Sequence, residues 1–395
     1  MDYFWWLNVY DANGCAYIFS HPKRVLIFEE GDPKKFFLEI EKFLKKGFYV
    51  AGFFTYEFGY YLEERLKPYC KRRLEGFPLA YFGVFEAPKP FKIEKIQQAN
   101  TVHFFDIALN LSFEDYQRIV SRIKSYISSG DTYQVNYTLK YHFQFKGHPR
   151  DFFFRFLRKQ KVRYACMLST AGFSILSFSP ELFLEKRGSI LRSSPMKGTA
   201  CRGQFLEEDE KIAQRLSEDP KNRAENIMIT DLVRNDFGKI CEPGSVWVPE
   251  LFKVERYRTV HQMISTVEGR LRKGTSFYEI MKALFPSGSV TGAPKIRTME
   301  IIAELEVEPR GVYTGALGFI TPIGDFLFNV AIRTLILKKD GRGEFGIGSG
   351  IVWDSSPEEE YKECLLKARF LIEDIPEFKL VETLRFDPEH GFVRL

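Results

Sequence analysis

A lysine stands at position 197 between residues that restrict the backbone, in Ser194-Pro195-Met196-Lys197-Gly198-Thr199. It follows a run that reads as a strand and comes before a polar helical stretch, which suits the wall of a cleft. An unprotonated amine in such a place is a nucleophile, although a loop lysine is also commonly a solvated charge. Glu360, Glu363 and Lys367 fall at i, i+3 and i+7, on one face of a helix. Glu225 lies near the start of another helix. Carboxylates from two helices suit Mg²⁺, which takes one or two carboxylates together with water and an anionic ligand. Solvated helix faces have the same spacing. Arg333 interrupts the apolar run Val330-Ala331-Ile332-Arg333-Thr334, and burying its charge calls for an anionic partner such as a bidentate carboxylate. Gly288-Ser289-Val290-Thr291-Gly292-Ala293-Pro294-Lys295 either presents N–H groups to an anion or caps a helix. Gly346-Ile347-Gly348-Ser349-Gly350 reads as a close approach to a ligand or as a bulged strand. His261 lies inside an alternating stretch, where a lone histidine is more often structural than catalytic.

These residues need elements to position them. Ser112-Phe113-Glu114-Asp115 is a helix start, with a capping serine and early acids. Phe113, Tyr116, Ile119, Val120, Ile123 and Ile127 continue it at helical spacing, and Gly130 ends it. Val135, Tyr137, Leu139, Tyr141 and Phe143 then alternate with Gln134, Asn136, Thr138, Lys140 and His142, as in a half-buried strand. Several short strands fall between 163 and 194. Asp219-Pro220 opens a helix through Asn235, and Ser356-Pro357-Glu358-Glu359 opens one to about Ile372. Further strands are expected at 254–269, 313–321, 326–338 and 344–352. Strands come in groups with helices between the groups, which predicts an α+β fold with antiparallel sheets and helices packed outside. Turn signals lie at Asn13-Gly14 and Gly31-Asp32-Pro33, and Pro88-Lys89-Pro90 is a candidate boundary.

Composition narrows the class. The chain has 395 residues, 45% apolar and 28% charged, with 39 Phe and 19 Tyr that imply a thick aromatic core. The net charge of +5 is spread out, so nothing reads as a nucleic-acid arm, while a mild positive field favours an anionic small molecule. The six cysteines show no C-x-x-C spacing, against zinc and against a disulfide framework. Neither a signal peptide nor a membrane span is written in the sequence, so a cytoplasmic protein is expected.

Taken together, the motifs resemble the chorismate-utilising enzymes, which include anthranilate, aminodeoxychorismate, isochorismate and salicylate synthases. The resemblance rests on Gly130 to Asn136, Ser179-Pro180-Glu181, Lys197-Gly198-Thr199, Ala224 to Asp236, Val260-His261, Thr291 to Lys295, Arg310 to Gly315, Ala331 to Thr334, Gly350-Ile351-Val352 and Glu360 to Lys367, in that order. It is strong over about 112–373 and weaker over 1–100, where Gly52 to Gly59 carry it. It implies two large facing antiparallel sheets flanked by helices, with the active site in the cleft. It also implies an N-terminal region over 1–100 and a chorismate-binding catalytic region over 101–375. Mg²⁺ is implied on Glu225 and Glu363, with Glu360 behind them. The ring carboxylate of chorismate is implied near the metal and Lys367, and the enolpyruvyl carboxylate on Tyr313, Arg333 and backbone near Gly350. Gly198, Thr199 and Gln134 join the implied substrate-binding set, and His261 the catalytic one.

Two positions bear on the subtype within that resemblance. Members that add water carry a lysine base where this chain has Gln134. Anthranilate synthases usually carry alanine where it has Lys197. A lysine there marks aminodeoxychorismate synthase component I, whose product leads to 4-aminobenzoate and folate. In that reading Lys197 attacks C2 and Glu181 protonates the departing 4-hydroxyl. Met196, Ser349 and Cys364 depart from the family's usual residues without removing a charge. Anthranilate synthase is the alternative enzyme, and a chorismate or amino-acid sensor on the same fold is the non-enzyme alternative. No cysteine lies in a G-x-C-x-G setting, so a separate glutamine amidotransferase subunit is expected to supply ammonia. The tail, 376–395, resembles the opening of an aminodeoxychorismate lyase; an ordinary terminal hairpin is the other reading.

Overall fold

Helices begin where their caps are written in the computed structural model, which describes residues 3–7, 15–92, 102–159, 162–257, 260–372, 384–387 and 391–394. Ser112 accepts from the Asp115 N–H at the head of Phe113–Ser128, and Asp219 accepts from the Asn222 N–H at the head of Pro220–Gly238. Gly31-Asp32-Pro33 is a helix start, because Asp32 caps Pro33–Leu44. Asn13-Gly14 lies outside the described residues.

Two ten-stranded antiparallel sheets form the body. In the first, Gln134–Lys146 pairs with Arg342–Ile351, followed by Thr334–Lys338, Phe173–Ser179 and Tyr164–Ser169. In the second, Met196–Cys201 pairs with Val260–Leu271, followed by Ile190–Ser194, Leu182–Arg187 and Phe326–Val330. The 1–100 region supplies strands to both sheets, and Pro88-Lys89-Pro90 runs into the strand Lys89–Lys92, paired with Cys15–Ser20. Residues 384–387 and 391–394 form a hairpin paired with neither large sheet.

Three apolar clusters order the layers. One sets the outer face of the first sheet, including Val135, Tyr137 and Leu139, against helices carrying Tyr116, Phe153, Ile301 and Cys364. A second sets the outer face of the other sheet against helices carrying Phe37, Phe237 and Phe277. The third, with Phe4, Phe19, Phe53 and Leu168, joins the inner faces. The expected aromatic core is present: Phe37, Phe54, Phe58 and Phe277 meet ring to ring at 4.8–6.5 Å. Such pairs add about 0.5–1.5 kcal/mol each beyond area burial. Gln134–Lys146 alternates between buried and exposed only in its second half, where His142 and Gln144 are exposed. In its first half Gln134, Asn136 and Lys140 are buried too, because that part of the face looks into the protein.

Three strand readings need correction. The run 326–338 is two strands in different sheets, Phe326–Val330 and Thr334–Lys338, with Ala331–Arg333 crossing between them. Arg333 therefore stands in a bend, with φ of 50°, where a strand cannot continue. Likewise 254–269 spans the hairpin of Cys241–Arg256 and Val260–Leu271, whose turn lacks Gly or Pro to mark it. Gly346–Gly350 is not bulged: Arg342–Ile351 pairs without a break from Gln144 to Val135.

Candidate active site

The strands between 163 and 194 change sheet at Ser179-Pro180-Glu181, beside the crossing at Ala331–Arg333. The Val330 N–H donates to the Glu181 carbonyl at 3.1 Å, and the Phe178 N–H donates to the Arg333 carbonyl at 3.0 Å. Two adjacent crossings thus put Glu181 and Arg333 between the sheets. Glu181 is 3% exposed and accepts from Ser289 Oγ at 2.5 Å; Ser287 Oγ stands 2.9 Å behind that hydroxyl. Burial lifts the Glu181 carboxyl to about 7, against the pull of Ser289 and Lys197. At neutral pH it can therefore hold a proton and deliver it. Ser289 is a contact that sequence reading missed: the small-residue loop was read for its backbone, whereas its hydroxyl reaches the acid.

Lys197 approaches from the second sheet. Packing around its amine lowers its pKa, with Lys367 adding to the effect and Glu225, Glu363 and Glu181 opposing it. These are the residues the motifs singled out, gathered in one electrostatic neighbourhood. Across the cleft, a Cβ on Gly350 would collide with the Gln134 amide and come within 3.0 Å of Lys197 Nζ, so glycine is required for this approach. The Gln134 amide is fully buried, and neither of its polar atoms has a partner. A buried amide left unpaired costs about 1–3 kcal/mol, which suits a group that waits for a ligand. Gly198 follows with φ of 92° and packs against Asn222.

Glu363 pairs with Lys367 at 2.6 Å, and Lys367 also donates to the Gly348 carbonyl at 2.9 Å. Both side chains are about half exposed, yet packing still resists both charges and the pair holds: Glu363 lies below its usual pKa and Lys367 above its own. Glu360 accepts from Ser355 Oγ at 2.8 Å, and burial raises its pKa. Among the described residues no three His, Cys, Asp or Glu side chains form a metal cage. Glu225 and Glu363 both act on the Lys197 amine, and carboxylates are the donor type that Mg²⁺ takes alongside water and substrate oxygens.

The remaining expected residues fall as follows. The Tyr313 ring lies over Gly346, and burial raises its phenol pKa. Arg333 has its pKa lowered by burial, with Tyr257 opposing. Thr199 is exposed, and its hydroxyl accepts from Gln262 Nε2 at 3.0 Å rather than joining the Lys197 group. His261 is fully buried with Nε2 2.7 Å from Asp209, which also accepts from Arg202 at 2.7 Å and from the Gly203 N–H at 2.9 Å. Burial notwithstanding, those donors keep Asp209 ionised, so Nε2 carries the hydrogen and His261 Nδ1 is left without a partner. No helix among the described residues is long and apolar enough to cross a membrane.

Comparison with known proteins agrees with this fold. Aminodeoxychorismate synthase component 1 of Bacillus subtilis is 41% identical over 255 residues, 65% of this chain and 54% of that protein. Anthranilate synthase component 1 1 of Haloarcula marismortui is 39% identical over 264 residues, 67% of this chain and 54% of that protein. The matched region thus spans about half the length of these relatives. Anthranilate synthase component I of Streptococcus pneumoniae TIGR4 superposes with a TM-score of 0.79 at 26% identity, over 90% of this chain and 91% of that one. The profile of the chorismate binding enzymes matches residues 89–373. With that span covering most of the chain, the protein belongs to the chorismate binding enzyme family.

Proposed function

We propose that the chain converts chorismate and ammonia to 4-amino-4-deoxychorismate and water, as an aminodeoxychorismate synthase component I. One observation carries the reading: an amine with a lowered pKa and a buried acid raised to about 7 act in one electrostatic neighbourhood between the sheets. Opposite shifts in neighbouring groups divide nucleophile from acid. The Lys197 amine forms a bond to C2 of chorismate, both conjugated ring double bonds shift, and the C4–O bond breaks as Glu181 protonates the leaving oxygen. Ammonia then bonds to C4, the ring diene is restored as the C2–N bond breaks, Lys197 leaves as the free amine, and the new ammonium on C4 returns a proton to Glu181. The enolpyruvyl group is retained. Tyr313, Arg333 and the Gly350 backbone anchor its carboxylate. Lys367 lies by the ring carboxylate, and two fixed anchors orient the ring. Glu225 and Glu363, with Glu360 behind them, would hold Mg²⁺, which when bound neutralises the ring carboxylate.

Relatives of both kinds match at similar identity, so anthranilate synthase is the reading to be excluded. Product analysis with chorismate, Mg²⁺ and an ammonium salt separates them. 4-Amino-4-deoxychorismate is expected, and anthranilate with released pyruvate would overturn the proposal. In the same assay, glutamine is expected to support turnover only once a glutamine amidotransferase subunit is added, because no cysteine of the chain lies in a G-x-C-x-G setting. Glutamine-dependent turnover by the single chain would remove the need for that partner.

The metal assignment has its own test. EDTA is expected to abolish turnover and Mg²⁺ to restore it. Glu363→Gln, which keeps the size of the side chain, should raise the Mg²⁺ concentration needed for half-maximal rate by about tenfold or more, as metal-site changes commonly do. Unchanged turnover in EDTA would contradict this.

A further inference from the structure

The strand that carries Lys197 pairs imperfectly. Met196 lies opposite Ile264 and Thr199 opposite Gln262, so one extra residue is inserted between them. Such a bulge re-aims a side chain and leaves backbone groups outside the ladder. Here the Lys197 carbonyl is taken up from the side by Asn226, whose Nδ2 donates to it at 3.5 Å.

Asn226 is itself tightly held. It is 2% exposed, its Oδ1 accepts from Ser265 Oγ at 2.5 Å, and its backbone carbonyl accepts from Thr230 Oγ1 at 2.7 Å. Ser265 accepts in turn from the Phe252 N–H at 3.1 Å, and its own N–H donates to the Pro195 carbonyl at 3.2 Å. Pro195 just before the bulge and Lys197 within it are therefore fixed to the same pair, Ser265 and Asn226. On the far side, the Lys197 amine ends against Gly350 of the opposite sheet. The reach of that side chain across the cleft depends on where the bulge holds its Cα.

We propose that Asn226 is a positioning residue that sets the aim of Lys197 by holding the bulged backbone. This rests on Lys197 being the nucleophile. A misplacement of about 1 Å at a reacting centre costs on the order of 10²-fold in rate, so a side chain that only grips the backbone has leverage on the first step.

The test reads adduct formation in single variants and ammonia-dependent turnover in a double-mutant cycle with Lys197→Ala. Asn226→Leu keeps the approximate size and removes the hydrogen bonds; Asn226→Asp keeps acceptance from Ser265 but cannot donate to the Lys197 carbonyl. Both are expected to slow formation of the chorismate adduct at Lys197 by about 10- to 100-fold at saturating chorismate, with chorismate affinity and the circular dichroism of the fold retained. In a Lys197→Ala background, where only direct attack by ammonia remains, Asn226→Leu should cause no further loss. The inference is overturned if adduct formation is unchanged in both variants, or if Asn226→Leu costs as much without Lys197 as with it. If the wild-type enzyme forms no adduct, the proposed nucleophile fails first, so the two failures are told apart. Should Asn226→Leu not fold, the Asp variant and Ser265→Ala, which frees Asn226 without touching Lys197, give the same reading.

Discussion

Lys197→Ala is expected to lower kcat by about a thousandfold or more while leaving chorismate affinity within a few-fold of wild type. That loss corresponds to about 4 kcal/mol of transition-state stabilisation. The reason lies in what the variant keeps. Glu181, the Glu225 and Glu363 carboxylates, and the residues assigned to the substrate carboxylates are untouched, so binding survives and the first substitution fails. A fall in kcat with little change in affinity is the mark of an interaction made only in the transition state. Slow direct attack by ammonia accounts for any residual rate. Mass spectrometry of wild-type enzyme quenched with chorismate and no ammonia source should find an adduct on the peptide containing Lys197. Near-normal turnover by the variant, with no adduct in the wild type, would return anthranilate synthase as the better reading.

Glu181→Gln should cost about 10²- to 10⁴-fold, the usual range for a positioned acid, and it should also change the shape of the pH profile. The productive state needs Glu181 protonated and Lys197 unprotonated. Burial raises Glu181 to about 7 and lowers the pKa of Lys197, which brings the two titrations closer together. Wild-type kcat/KM should therefore be bell-shaped, since the productive form carries one proton on the pair and both more and fewer protons inactivate it. One limb is expected near pH 7. In Glu181→Gln only Lys197 still titrates, so the profile should rise with pH through the pKa of the amine and then stay level. A bell with both limbs intact in the variant would assign the acid elsewhere.

The sequence by itself determined the helices and the family. Ser112 and Asp219 are legible as caps because capping is a local bond between a side chain and an N–H three residues on. The ordered motifs resembled the chorismate-utilising enzymes, and the match over 89–373 agrees. Alternation marked strands for the same local reason, since successive side chains on a strand point to opposite faces, and their grouping predicted antiparallel sheets. It could not reveal which sheet a strand joins. Nothing in Phe326 to Lys338 marks the place where the chain leaves one sheet for the other, yet that crossing puts Arg333 in a bend beside Glu181. Nor does any local pattern show that Gln134, Asn136 and Lys140 look into the protein while His142 and Gln144, further along the same face, look to solvent. The grip of Ser289 on Glu181 spans 108 positions, and that of Asn226 on Lys197 spans 29. Contacts at such separations leave no periodicity in the sequence. They exist only once two sheets have packed, and that packing decides which lysine has its pKa lowered and which carboxyl has its pKa raised.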